Sequence, residues 1–329
     1  MERTAQNAEK GLLARTRPFA AQDAARTGWN IAATLGALAV AITIAAAAPW
    51  WPLRVAGTVL EALVLVRSFI LYHDFMHGAL LPGSRVTRLL FHAQGMLLLT
   101  PARIWNDTHN HHHANTARIA ASAAGTFTTW TTDTWRKASR WQRLAYVVER
   151  HPLTFVFGYF TAFLVGLCLV PFLKNPRRYW ASGVAVLLHV ALSVLVWRLF
   201  GPGVYLSAFL GPLFIGYALG VYLFYSQHNF PDVGIRPDDQ WTHADAALEA
   251  SSYMACGPVV SWFTGNIGYH HVHHLNPRIP FYRLPEAMAA LPELQRPRVT
   301  TLRPRDVLAC LRQNLWDPEL GRMVRYPGA

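Results

Sequence analysis

The segment HDFMH occupies residues 73–77, and HNHHH and HHVHH follow at residues 109–113 and 270–274. We call these segments boxes one, two and three; their histidine spacings are HxxxH, HxxHH and HxxHH. Histidines three or four positions apart lie on one face of a helix, so each box can direct two or three ring nitrogens at a common point. The eight nitrogens of these spacings are enough for two metal ions. The boxes therefore predict a histidine-rich metal centre.

The residues between the boxes are gathered into long apolar runs. The chain has 329 residues, of which 52% are hydrophobic. Such runs are typical of membrane proteins, and a helix of roughly 20 apolar residues crosses a bilayer. We predict an all-α integral membrane protein with about four transmembrane helices, at residues 29–50, 55–72, 179–200 and 204–225. The first run is too long for the core of a signal peptide, so we expect it to be retained.

Two weaker runs, at residues 89–100 and 152–171, are shorter or bounded by prolines. One metal centre requires the three boxes on the same side of the membrane, so the number of crossings between them must be even. The loop at 174–178 is basic, as is the N-terminus, and basic loops favour the cytoplasm. We therefore expect both runs to be re-entrant or interfacial, with the boxes in a cytoplasmic cap. Residues 135–146 mix aromatic and basic side chains and predict an interfacial helix on lipid headgroups.

The chain divides into a cytoplasmic N-terminal segment (1–28), a membrane domain with its cap (29–290) and a C-terminal cytoplasmic segment (291–329). Its net charge of +12 fits the face that contacts anionic lipid. The basic residues form no nucleic-acid motif, so we expect no nucleic acid to bind. The three cysteines are far apart and indicate neither a disulfide framework nor a zinc ribbon.

The other histidines differ in their prospects as ligands. His228 follows the last apolar run and should emerge beside box one, so we expect a ninth ligand there. His111 and His271 point away from the ligand faces of their boxes, and His92, His151, His189 and His243 lack box spacing. Metal-bound imidazoles need acceptors for their second nitrogen. The candidates are Asp74, Asp107, Asn266, Asp245 and Glu249.

All-imidazole ligation suits zinc, iron, copper or nickel, and spacing alone does not choose among them. Box one ends the second apolar run, which places the metal where the bundle meets the cytoplasm. A site near both water and the apolar interior suits a reaction on the chain of a lipid.

Several longer motifs resemble the membrane fatty acid desaturases. They are HDFMH, HNHHH, QHN at 227–229 and WFTGNIGYHHVHHLNPRIPFYRLPEA at 262–287. The resemblance covers about residues 30–290 and is greatest to bacterial acyl-lipid desaturases of the Δ12/ω3-like branch. One departure is Phe75, where first boxes of this group often have cysteine.

The resemblance implies a centre of two non-haem iron ions that activates O2 and removes two hydrogens from adjacent methylenes. It also implies a kinked tunnel for the acyl chain, a bacterial inner-membrane location, and an acyl lipid or acyl-CoA as substrate. The implied iron ligands are His73, His77, His109, His112, His113, His228, His270, His273 and His274.

Removal of two hydrogens with O2 requires two further electrons, and the chain has no motif for a flavin, haem or iron–sulfur donor. We therefore expect a separate ferredoxin or cytochrome b5-like partner, which is usually acidic and would dock on basic residues. The candidates are Arg103, Arg118, Arg136, Lys137 and Arg278.

Two other functions share some of these features. A related di-iron hydroxylase, ketolase or alkane monooxygenase has overlapping histidine spacing and differs in its product. A non-catalytic membrane protein that binds haem or zinc is the alternative from another class. A haem protein would place single histidines on facing spans at membrane depth, whereas the boxes lie at helix ends.

Overall fold

The computed structural model describes residues 2–119 and 127–327 of the chain. Met1 and residues 328–329, at the outer ends of the predicted terminal segments, lie outside the described residues. The described chain is mostly helical, as predicted. The α-helices are α1 Glu2–Thr16, α2 Ala24–Ala47, α3 Trp51–Met76, α4 Arg85–Leu97, α5 Ala102–Asn115, α6 Thr132–Lys137, α7 Arg140–Glu149, α8 Pro152–Val156, α9 Val170–Lys174, α10 Trp180–Tyr205, α11 Gly211–Ser226, α12 His243–Glu249, α13 Gly257–Phe263, α14 His270–Leu275, α15 Leu284–Ala290 and α16 Pro304–Arg312.

Five short strands add two small sheets to this helical fold. They are β1 Trp130–Thr131, β2 Tyr253–Met254, β3 Val299–Thr300, β4 Leu315–Asp317 and β5 Arg322–Val324. Strand β4 lies between β1, to which it is parallel, and β5, to which it is antiparallel. Strand β2 pairs with β3 in parallel. The sheets therefore tie residues near the C-terminus to β1 and β2, which lie earlier in the chain.

Within the described residues, three helical stretches are long and apolar enough to cross a membrane: α2, α3 and the 47 residues Trp180–Ser226. Helix α3 is the central one, because it packs along both α2 and α11. The close approach of α2 and α3 depends on Gly57, where a Cβ would lie 2.6 Å from the backbone nitrogen of Ala45.

The stretch Trp180–Ser226 folds back on itself at Gly201, whose backbone (φ 77°, ψ 172°) is not helical. Contacts between its two halves show the reversal. The hydroxyl of Ser193 donates to that of Tyr205 (2.9 Å), and the His189 and Phe209 rings are 5.4 Å apart. The predicted runs 179–200 and 204–225 are therefore two antiparallel helical segments joined by a tight turn, with a π-helix at Leu206–Leu210 in the second.

The proline-bounded run also reverses direction. Phe155 packs on Tyr225 near the end of α11. The π-helix Tyr159–Leu169 follows in the chain, and its first residue packs on Tyr217 in the middle of α11. The Leu167 carbonyl then accepts a hydrogen bond from Ser182 near the start of α10. Both ends of residues 152–174 thus contact the same end of the hairpin.

Helices α4 and α7 are amphipathic and border the apolar bundle. Helix α4 begins after Ser84, which caps it, and its Val86 and Leu89 side chains are 76% and 75% exposed. The predicted single helix over 135–146 is wrong, because the chain forms α6 and α7 there. The break follows from Ser139, whose side chain and that of Gln142 form a capping box that starts α7.

Buried Arg67 ties the membrane helices to the cap. Its guanidinium donates to Asn30 and Thr34 of α2 and to the carbonyl of Trp262 in α13, and it stacks 4.2 Å from the Trp262 ring centroid. A charged group this deep requires such partners, since an unpaired charge in apolar surroundings is costly. Arg67 therefore fixes the end of α3 against the part of the cap that precedes box three.

Candidate metal centre

Each box lies at the end of a helix or forms most of one. His73 is in the last turn of α3 and His77 follows that helix directly. Box two lies in the last turns of α5, and box three forms most of α14. His228 follows the end of α11. The four chain segments thus deliver their histidines to one buried region, as the sequence analysis expected.

The histidines form two groups, within each of which the ligand nitrogens lie no more than 4.8 Å apart. The first group holds His73, His77, His109, His113 and His273. The second group holds His112, His228, His270 and His274. All nine histidines expected as ligands are therefore brought together, and the described residues place His111 and His271 in neither group.

Boxes two and three each direct two histidines at one group and the third histidine at the other. His109 and His113 of box two belong to the first group and His112 to the second. Box three has the opposite division, with His270 and His274 in the second group and His273 in the first. With 100° per residue, i and i+4 lie about 40° apart around a helix, whereas i+3 lies about 60° to the other side of i. The third histidine therefore faces a different point.

The nitrogen spacing suits metal ligation. In the first group, Nε2 of His109 lies 2.9 Å from that of His73 and 3.2 Å from that of His113. In the second, Nε2 of His270 lies 2.9 Å from that of His228 and 3.1 Å from that of His274. An ion bound to imidazole nitrogens at about 2.1 Å brings neighbouring nitrogens to about 3.0–3.4 Å from each other. The donor sets therefore fit transition-metal ions.

An unpaired nitrogen points to the same conclusion. Nε2 of His77 is buried and has no hydrogen-bond partner among the described residues, although it lies within the first group. A buried polar atom without a partner is costly, and a bound cation would remove that cost.

The surroundings hold the imidazoles neutral. Burial lowers the pKa of His228 to about 4. Burial, followed by charge repulsion from neighbouring imidazoles, lowers the pKa values of seven others well below the usual range. These are His77, His109, His112, His113, His270, His273 and His274. Only a neutral imidazole has the free electron pair that binds a metal, so the fold keeps the ligand form at neutral pH.

Second nitrogens of three histidines contact polar groups that orient the rings. Nδ1 of His73 lies 3.1 Å from Asp74, whose other oxygen accepts a bond from the backbone N–H of Phe281 at 2.7 Å. Nδ1 of His228 lies 2.9 Å from the Ala250 carbonyl. Nδ1 of His274 lies 3.2 Å from the Thr116 hydroxyl. Such contacts fix the tautomer and the direction of a ligating ring.

The other acceptor candidates bond elsewhere. Asp107 pairs with Arg178 and Arg103. Asp245 and Glu249 pair with Arg236, and Asn266 donates to the Phe281 carbonyl. Among the five candidates, the structure gives only Asp74 a contact with a box histidine, because it is adjacent to His73 on the same helix end.

The histidines outside the two groups have structural partners. Nε2 of His271 lies 3.1 Å from the Leu294 carbonyl, and Nε2 of His189 contacts the Tyr159 hydroxyl. His151 caps α8, and Nε2 of His243 lies 3.3 Å from the Leu275 carbonyl. His92 lies on the exposed face of α4.

A cavity of about 430 Å³ leads from the apolar bundle to both groups. Its walls are α3, α11 and the π-helix Tyr159–Leu169, and most of its lining is apolar. It reaches His73 and His109 of the first group and His270 of the second. The cavity can therefore hold a hydrocarbon chain against the histidines and exclude bulk water.

The sequence analysis missed several residues of this cavity. The Trp105 ring stacks on His109 at 4.6 Å, and the Phe224 ring lies 4.9 Å from that of His112. Both aromatic residues precede a candidate ligand by four positions, which is the signal that could have found them. Glu149 also lines the cavity, and burial raises the pKa of its carboxyl. No spacing in the sequence connects Glu149 to the boxes.

These features define a helical membrane protein in which two polyhistidine groups face a largely apolar cavity. Comparison with known proteins identifies the class further. The fatty acid desaturase family model matches residues 49–305. The chain is 34% identical to a Bacillus subtilis (strain 168) fatty acid desaturase over 281 residues, which are 83% of this chain and 78% of that protein.

Relatives with more specific names are more distant. A Synechocystis sn-1 oleoyl-lipid 12-desaturase is 25% identical over 266 residues, covering 80% of this chain and 75% of that protein. An Arabidopsis thaliana chloroplastic omega-6 fatty acid desaturase is 24% identical over 262 residues, covering 75% of this chain and 55% of that protein. The chain belongs to the fatty acid desaturase family, as its motifs predicted, and is a membrane oxidoreductase that desaturates acyl chains.

Proposed function

We propose that the protein is a di-iron acyl-lipid desaturase that introduces a double bond into a saturated or monounsaturated chain. The observation that carries this proposal is the apolar cavity that reaches histidines of both groups. The name of one relative, an sn-1 oleoyl-lipid 12-desaturase, favours a lipid-linked acyl chain over acyl-CoA.

The first iron would be held by His73, His77, His109, His113 and His273, and the second by His112, His228, His270 and His274. The bound ions would supply the O2 chemistry needed to break unactivated C–H bonds. In each turnover, two C–H bonds break, one C=C bond forms, and one O2 takes up four electrons and four protons to give two waters. Two of the electrons and two of the protons come from outside the substrate.

The chain's own residues bind and orient the reactants. The faces of α3 and α11 align the acyl chain along the cavity, while Trp105 and Phe224 pack against the rings of the two groups. Asp74, the Ala250 carbonyl and Thr116 hold the ring directions. The apolar walls keep water from the reacting methylenes.

The external electrons would come from a separate ferredoxin or cytochrome b5-like protein. Arg103 and Arg136 pair with acidic neighbours, which lowers the net positive charge that these two positions offer to an acidic partner. Arg118 is exposed and lies 3.9 Å over the Trp241 ring. Trp241 donates to the Thr116 carbonyl at 2.9 Å, and the Thr116 hydroxyl contacts His274. Of the five candidates, Arg118 therefore has a bonded connection to the second group.

We further propose that the membrane domain, residues 29–290, crosses the bacterial inner membrane four times with the boxes and both termini in the cytoplasm. The turn at Gly201 and the reversal of residues 152–174 support an even number of crossings between boxes two and three. Single cysteines at positions 51 and 202 should react with an external reagent, whereas one at position 175 should not. External labelling at 175 would overturn this topology.

The central test uses purified protein with O2, an acyl lipid and a reduced ferredoxin or cytochrome b5 system. We expect close to two irons per chain, new double bonds, no turnover without the donor, and slower turnover at high salt because docking is electrostatic. Protein that binds one zinc and no iron would contradict the iron assignment. Hydroxylated or keto products in place of alkenes would indicate the related oxygenating enzymes.

A further inference from the structure

The width of the cavity is set on α11 by Gly216 and Gly220 and on the facing π-helix by Gly166. The three positions differ in the space around them. A Cβ at Gly216 would lie 3.3 Å from the Ala62 carbonyl, and one at Gly166 would lie 3.2 Å from the Thr161 carbonyl. A Cβ at Gly220 meets no atom of the described residues within 4 Å. The Thr161 carbonyl belongs to the same π-helix as Gly166, whereas the contacts at Gly216 are with the facing helix α3. Of the two cavity-lining glycines on α11, Gly220 is therefore the one where a larger side chain would enter open cavity space.

The position of Gly220 relates this space to the reaction. Gly220 precedes His228 by eight residues, which is about 12 Å along a helix. The deep end of the cavity lies farther from the histidines, where a Cβ at Gly216 would contact Leu65 of α3 at 3.8 Å. Helical side chains lean toward the helix N-terminus, which on α11 is the direction of the deep end. A side chain at 220 would therefore fill the space below the histidines.

We propose that Gly220 sets how deeply the methyl end of the acyl chain enters the cavity, and therefore which substrates and which carbons are desaturated. This inference rests on the proposed function. If a side chain at 220 stops the acyl chain, the methyl end lies closer to the histidines. Carbons nearer the methyl end then face the histidines. If the polar end of the acyl chain is fixed, the chain cannot move in this way. A long acyl chain is then excluded, and a short one is still accepted.

The test compares Gly220→Ala, Gly220→Val and Gly220→Leu with the parent enzyme on myristoyl and stearoyl lipids. We expect the stearoyl-to-myristoyl ratio of kcat/KM to fall in that order, by at least about tenfold for the leucine variant, or the double bond to move toward the methyl end. Alanine and leucine favour helix more than glycine does, so the helix itself should remain stable. Gly36→Leu, on the exposed face of α2 with open space around it, is the matched control and should change neither property.

A binding measurement separates this inference from the proposed function. Displacement of a fluorescent phospholipid from metal-free protein by distearoyl or dimyristoyl phosphatidylglycerol should show the same loss of preference for the longer chain. Equal losses for both chain lengths with an unchanged double-bond position, or no change at all, would overturn the role of Gly220. Absence of any desaturation by the parent enzyme would instead contradict the proposed function, and the displacement ratio would still test Gly220.

Discussion

The two histidine groups share two helices and differ in the third segment that supplies histidines. Boxes two and three each give two histidines to one group and one to the other, in opposite order. The first group gains two more from the end of α3, and the second gains only His228 after α11. The comparison shows that HxxHH links two sites, whereas HxxxH serves one. The first group can lose a nitrogen and keep four, and the second would keep three.

Removal of one histidine from each group should have the largest effect and should show this difference. We expect His113→Ala and His228→Ala both to abolish desaturation, because O2 chemistry needs both ions. Iron analysis should show a greater loss of metal from His228→Ala, since its group falls to three nitrogens. Membrane insertion, checked by fractionation, should be unchanged in both variants. Equal retention of two irons in both would contradict the assignment of His228 as a ligand.

The ring-orienting contacts should rank next. Asp74→Asn weakens the acceptor for His73, and outer contacts of this kind are typically worth about 10- to 100-fold in metal affinity or activity. Thr116→Val removes the hydroxyl beside His274 and should cost less, because a neutral hydroxyl is a weaker partner than a carboxylate. Metal affinity and turnover of the two variants would be measured side by side. A larger effect of Thr116→Val than of Asp74→Asn would contradict the order expected for these two contacts.

The convergence of the box histidines could be predicted from the sequence because helical spacing determines which side chains share a face. The same reasoning found His228 and Asp74, which adjoin helix ends already placed by apolar runs. Helical spacing could also have shown that the third histidine of boxes two and three faces a different point. It could not show which histidines of the two boxes meet, because that depends on how α5 and α14 face each other. Contacts between helices distant in sequence leave no periodic signal.

The fold was predictable to a similar degree. Apolar length located α2 and α3, and the glycine–proline turn near 201 located the hairpin. The break between α6 and α7 was missed because aromatic and basic residues continue at helical spacing through it. Glu149 and Gly220 were also missed, since a cavity wall is assembled from tertiary contacts. For Gly220, only the empty space around it indicates a role.

Acid should destabilise the metal-free protein because box three holds a buried histidine, His271, that lies in neither group. Burial lowers the pKa of His271 to about 4, and its ordinary value is about 6.5. The unfolded chain therefore binds more protons below about pH 6.5, and stability present above that pH is lost as the pH falls toward 4. For His271 alone, the loss between pH 7 and pH 5 is about 2 kcal/mol. Thermal unfolding of metal-free His271→Gln should show a smaller decrease over this range than the parent chain.

His189 should give the smallest effect, because it lies outside both groups. It is in the apolar helix α10, and its Nε2 contacts the Tyr159 hydroxyl while its ring packs near Phe209. Hydrogen bonds between membrane helices contribute on average about 0.6 kcal/mol, so His189→Ala should lower thermal stability slightly and retain both irons and measurable activity. Tyr159→Phe removes the same contact, and the double variant should be little worse than either single one, because neighbours that share one interaction are not additive. Loss of iron from His189→Ala would show that ligation extends into the membrane helices, and the division into groups of five and four would then be incomplete.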